Sequence, residues 1–211
     1  STPGWRKTSG DAAAHRAAID AAADAPTRVM RQALEALRTA LPADAVVFSD
    51  MTQIAYLGNY AFPMDAPGAW HHPSGYGTLG FALPAALGAK LALPQRAVVA
   101  LHGDFGLQFT IQELGTAVEA GVSLPIVVWN NAALGQIRDD MVASGIAPIG
   151  VVARNPDFVA LAEAWGARGV RVGDAAALRA AVGAALRHRG PTLIEVEAAA
   201  FAASLSASSP G

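Results

Sequence analysis

Asp104 and Asn131 are the residues whose types and spacing could do chemistry together. Asp104 follows Gly103 at the end of the apolar run Ala97–Leu101, and Asn131 stands 27 residues further on, at the end of a second apolar run, Pro125–Trp129. If both runs are parallel strands of one right-handed βαβ unit, the carboxylate of Asp104 and the amide oxygen of Asn131 emerge at the same edge of the sheet. Open α/β sheets bind ligands at that edge. The backbone carbonyl of Ala133, just beyond, adds a third oxygen. Three oxygens make half of the shell of a hard cation; Mg²⁺ takes six and commonly completes them with phosphate and water. The turn Ala133-Leu134-Gly135-Gln136 opens a helix at the same place, and helix N-termini present N–H groups to anions.

The positioning elements follow from periodicity. Thr27 is read as the cap of a helix whose Met30, Leu34, Leu37 and Leu41 form an apolar stripe, and Ala45–Ser49 as a short buried strand. A Gly-rich stretch, Gly75–Gly80, opens a helix to about Leu91. Thr110 and Glu113 have capping-box spacing, which predicts a helix over Thr110–Ala120, about 16 Å long. Further helices are expected at Gly135–Ala143, Asp157–Trp165 and Asp174–Arg187, and strands at Gly169–Val172 and Thr192–Val196. Apolar strands alternating with helices predict an α/β fold, a doubly wound and mostly parallel sheet of about six strands with helices on both faces. Residues 1–26, rich in Ala, Asp and small polar residues, read as a linker-like segment, and residues 27–211 as one domain.

Bulk properties exclude several classes. A net charge of −2 argues against a nucleic-acid surface or a polybasic membrane patch. The chain has no cysteine, hence no disulfide, thiolate nucleophile or cysteine zinc site, which fits a cytoplasmic location. The longest apolar run, Thr78–Pro94, is interrupted by Lys90 and two prolines and is shorter than the ~20 residues of a membrane-spanning helix.

The pair Gly103-Asp104…Asn130-Asn131 resembles the GDG…NN signature of thiamine diphosphate enzymes. The stretches Gly77-Thr-Leu-Gly-Phe-Ala-Leu-Pro-Ala-Ala-Leu-Gly88 and Asn155-Pro-Asp-Phe-Val-Ala-Leu-Ala-Glu-Ala-Trp-Gly166 are similar to acetohydroxyacid synthases and benzoylformate decarboxylases. The resemblance covers about Thr27 to Glu197. It implies a thiamine diphosphate-binding fold, the cofactors thiamine diphosphate and Mg²⁺, and a 2-oxo acid decarboxylase or carboligase. Asp104, Asn131 and the Ala133 carbonyl match its metal ligands. The N–H groups of Phe105, Gly106, Gly135 and Gln136 match its diphosphate donors. The Gly77 carbonyl matches the acceptor of the pyrimidine 4′-amino group, and Leu79 the apolar wedge that bends the cofactor. Gln53 falls where the synthases place a phosphate-binding Gln, although they follow it with His and this chain has Ile54.

Two positions depart from the pattern. Phe105 replaces the third motif glycine, so its backbone must keep an ordinary φ. Gly106 replaces a frequent hydroxyl residue. The family's pyrimidine-binding domain, which carries the glutamate that protonates the cofactor, is not found among these residues, so no catalytic residue is assigned. The chain is expected to be a fragment or a split subunit, inactive alone, that partners such a domain in a homodimer or homotetramer. Two rivals are a nucleotide-dependent oxidoreductase, whose G-x-G-x-x-G spacing is absent, and a degenerate domain kept for subunit assembly. His71 and His72, adjacent and therefore pointing apart in extended chain, are not expected to pair on a metal. His102 is read as a core histidine, Glu113 as a helix cap, Arg138-Asp139-Asp140 as a solvated helix face, and Phe158 and Trp165 as helix-core residues.

Overall fold

The computed structural model describes residues 14, 17–19, 21–64 and 66–208. Most of the linker-like segment 1–26 therefore lies outside the described residues. Six strands form one sheet: β1 (Val46–Ser49), β2 (Trp70–His71), β3 (Val98–Gly103), β4 (Leu124–Asn130), β5 (Arg168–Val172) and β6 (Pro191–Glu197). Their order is β2-β1-β3-β4-β6-β5, and every pairing is parallel. From β1 the chain moves outward to β2; from β3 it moves the other way, to β4. The direction of winding thus reverses between β1 and β3, and a crevice opens outside their carboxyl ends.

The helices are α1 (Ala25–Ala40), α2 (Gln53–Ala61), α3 (Ala82–Ala92), α4 (Asp104–Thr110), α5 (Glu113–Glu119), α6 (Gly135–Ala143), α7 (Phe158–Ala164), α8 (Ala175–Arg187) and α9 (Ala198–Ser208). Side chains alternate across a strand, so the sheet serves two cores. Val47, Val99, Leu101, Val127 and Ile194 face α1, α2, α8 and α9 through Leu37, Ile54, Val182 and Phe201. Val98, Ala100, Ile126, Val128 and Leu193 face α3, α4, α5 and α7 through Leu83, Leu107, Leu114 and Phe158. This is the doubly wound arrangement expected from the continuous apolar strands.

Several expectations are corrected. The cap of α1 is Asp24, whose Oδ1 accepts the Thr27 N–H at 2.9 Å; the carboxylate three residues earlier takes the role assigned to Thr27. The Thr110–Glu113 capping box does not form. The chain turns from β3 directly into α4 at Asp104, and the Thr110 hydroxyl donates instead to the Gly80 carbonyl at 2.9 Å, so one expected helix is two. Gly75–Gly80 is a turn rather than a helix start, with Gly77 and Gly80 at φ +65° and +87°. Phe158 is fully buried, but Trp165 is 42% exposed, because α7 ends before it. The elements α2, β2 and α9 were not expected.

Candidate functional site

Every site residue singled out from the sequence lines one cleft in the crevice beyond β1, β3 and β4: Asp104, Phe105 and Gly106, then Asn131, Ala133, Gly135 and Gln136, with Gln53 on one side and Gly77 and Leu79 on the other. Parallel pairing sets Gly103 beside Trp129, which carries the residues after both strands to the same edge. Two helices begin at the cleft, α4 at Asp104 and α6 at Gly135, and the first N–H groups of a helix have no intrahelical acceptor. Phe105 lies within α4 and is absent from the residues of positive φ, so its bulk imposes no backbone strain.

Asp104 is 2% exposed. Burial raises its carboxyl above the usual carboxylate range, against the opposing pull of the Asn155 side chain and the N–H groups of Phe105 and Ala133. Asn155 Nδ2 donates to Asp104 Oδ2 at 2.6 Å and to Asn130 Oδ1 at 2.9 Å. Asn130 Nδ2 in turn donates to Glu195 Oε1 at 2.7 Å, and Arg171 Nε reaches Glu195 Oε2 at 2.8 Å. Among the described residues no lysine, arginine or histidine pairs with Asp104. The cleft thus holds a buried carboxylate with hydrogen-bond donors but no counter-charge among the described residues.

The loop after β4 is tightly bent. Ala132 has φ +53°, a conformation that costs a non-glycine residue on the order of 1 kcal/mol. It is held by Leu134 N–H on the Val151 carbonyl at 2.9 Å and Ala153 N–H on the Ala132 carbonyl at 2.9 Å. Asn131 Oδ1 accepts the Ala133 N–H at 3.2 Å, and its Nδ2 donates to Gln53 Oε1 at 3.1 Å. Gln53 Nε2 donates to Asp139 Oδ2 at 2.8 Å. The Gln53 amide is therefore engaged on both sides, and Asp139 does more than solvate a helix face. Gly135 is required by packing: a Cβ there would stand 2.2 Å from Gln53 Oε1 and 2.7 Å from Asn131 Nδ2. Leu79 is half-buried against the cleft and belongs to neither apolar core.

Residues beyond the motifs complete the site. Asn155 carries no role in sequence beyond opening the stretch Asn155–Gly166. Asp50, fully buried at the end of β1, carried no sequence signal beyond its place after an apolar strand. Burial pushes its carboxyl up, but the neighbouring His102 and the N–H groups of Met51 and Gly80 outweigh burial and hold it below the usual range. His102 is fully buried, as expected of a core histidine. His71 and His72 diverge: His71 stacks on Phe48 with ring centroids 4.6 Å apart, and His72 Nδ1 lies 2.8 Å from the Ser49 hydroxyl. No group of three or more His, Cys, Asp or Glu side chains suited to a metal occurs among the described residues, so any cation here relies on amide and carbonyl oxygens beside Asp104.

The family model described as "Thiamine pyrophosphate enzyme, C-terminal TPP binding domain" matches residues 50–196. A Pseudomonas aeruginosa protein named "Probable 2-ketoarginine decarboxylase AruI" is 51% identical over 177 residues, 83% of this chain and 32% of that protein. The acetolactate synthase isozyme 3 large subunit of Escherichia coli is 40% identical over 66% of this chain and 25% of its own length. Among solved structures, a thiamine diphosphate-dependent 4-hydroxybenzoylformate decarboxylase from Rhodococcus jostii RHA1 superposes with a TM-score of 0.72 at 33% identity, covering 82% of this chain and 32% of that one. The chain spans about a third or less of the length of the curated relatives named here. It belongs to the thiamine pyrophosphate enzymes, matching the family's C-terminal TPP-binding domain.

Proposed function

We propose that this domain binds thiamine diphosphate through Mg²⁺ and serves a 2-oxo acid decarboxylase or carboligase. The observation that carries the metal is Asp104: a buried carboxylate raised by burial, without a cationic partner among the described residues, at the mouth of two helix starts. A cation would offset the desolvation of that charge. Asp104, Asn131 Oδ1 and the Ala133 carbonyl would hold it, an all-oxygen set suited to Mg²⁺ with diphosphate and water completing the shell. The N–H groups of Phe105, Gly106, Gly135 and Gln136 would face the diphosphate. Gln53, spent on Asn131 and Asp139, would act by fixing Asn131 rather than as a free donor.

When bound, the cofactor supplies a nucleophilic ring carbon and an electron sink to the 2-oxo acid. The chain's own contribution is to bind and orient. The Gly77 carbonyl, presented by a left-handed turn that glycine adopts readily, would accept from the pyrimidine amino group, and Leu79 would hold the bend from below. The glutamate that protonates the pyrimidine ring would come from a partner domain or subunit, with the assembled enzyme a homodimer or homotetramer and this chain inactive alone. Calorimetric titration of the chain with thiamine diphosphate, with Mg²⁺ and then with EDTA, tests the proposal. Binding heat is expected only with the metal; equal binding in EDTA contradicts it.

A further inference from the structure

Asp50 lies at the end of β1 with 0% exposure. Two backbone N–H groups donate to its carboxylate, and a histidine ring stands against it. The Met51 N–H reaches Oδ1 at 2.8 Å, the Gly80 N–H reaches Oδ2 at 2.8 Å, and His102 Nδ1 stands 2.7 Å from Oδ2. Both side chains are fully buried, so the contact is shielded from water. An amide in place of the carboxylate would turn an NH₂ toward one of these donors. The fourth neighbour is Gly106, where a Cβ would stand 2.8 Å from Asp50 Oδ2. The missing side chain at 106 is what admits the carboxylate under the first turn of α4.

Asp50 therefore joins three of the segments that line the cleft: the end of β1, the turn around Gly77–Gly80, and the β3–α4 turn. Gly80, at φ +87°, is held from both sides, its N–H by Asp50 and its carbonyl by the Thr110 hydroxyl. The diphosphate end has separate supports in Asn155 and the Gln53–Asn131 pair. We propose that Asp50, backed by His102, is a positioning residue that sets the Gly77–Leu79 segment against the diphosphate turns and so governs capture of the ring portion of the cofactor. This rests on the cofactor reading above. Asp50 touches no cofactor atom in this account and acts only through the turn.

The test is calorimetric titration of the chain with two probes in Mg²⁺: thiamine diphosphate and inorganic diphosphate. Asp50→Asn should weaken thiamine diphosphate by roughly tenfold or more, the scale of one hydrogen bond to a charged group. It should leave inorganic diphosphate within about twofold of the wild type. Thr110→Val releases Gly80 from the opposite side, leaves Asp50 intact, and should show the same selective loss; it carries the test if Asp50→Asn does not fold. Equal weakening of both probes, or no change in either variant, overturns the positioning role. A wild-type chain that binds neither probe overturns the cofactor reading itself, and this inference with it.

Discussion

Two buried carboxylates sit at the sheet edge in opposite electrostatic situations. Asp50 is surrounded by donors and lies below the usual carboxylate range, whereas Asp104 is raised by burial and has no counter-charge among the described residues. A carboxyl whose folded value is depressed stabilises the fold fully above its unfolded value of about 3.9 and loses that contribution as pH falls through the folded value. Asp50→Asn should therefore be less stable than the wild type near neutral pH, and the gap should narrow below about pH 4. Urea midpoints of both proteins across that range check this; a gap independent of pH contradicts it. The motif residues Asp104, Asn131 and Gly135 were legible in sequence because each stands beside the end of an apolar strand or at the start of a helix. Asn155 and Asp50 were not, because their partners lie 51 and 30 residues away and only the folded sheet brings them together.

In the proposed reading, the turn around Gly77 and Leu79 would shape the cofactor. Leu79 lies outside both cores and on the cleft, so its substitution should affect geometry more than stability. Leu79→Met or Leu79→Ile, which keep comparable bulk, should preserve turnover in the assembled enzyme. Leu79→Ala should lower turnover more than cofactor affinity, because small misplacements of reacting groups are costly. A loss of about 2–5 kcal/mol of stability, as for a core leucine, with normal turnover would refute the wedge. The long apolar strands and α6 were readable from pattern alone. By contrast, α2 has no side-chain cap at Thr52 and contains Gly58, where a Cβ would meet the Trp70 ring at 2.5 Å; its composition answers a tertiary contact, not helix propensity. The two residues of β2 are too few to show a period, and α9, a run of Ala, Ser, Phe and Leu, has no polar face to set one. The Thr110–Glu113 spacing misled because the threonine hydroxyl serves Gly80.

At the scale of the molecule, α3 buries Ala82, Leu83, Ala86 and Leu87 but leaves Pro84, Gly88 and Leu91 exposed. An outer face this apolar suits a subunit contact. Leu91→Asp, at a residue 56% exposed in the chain, should alter the fold's stability by no more than about 0.5 kcal/mol while shifting sedimentation from the assembly to the monomer. A wild type that stays monomeric at high concentration, or an assembly indifferent to the substitution, contradicts that role. The account as a whole turns on the metal. In calorimetric titrations of thiamine diphosphate in Mg²⁺, the wild-type chain should bind, and Asp104→Ala, with an unchanged circular dichroism spectrum, should lose at least about tenfold in affinity; unchanged affinity in a folded Asp104→Ala chain would contradict the central claim.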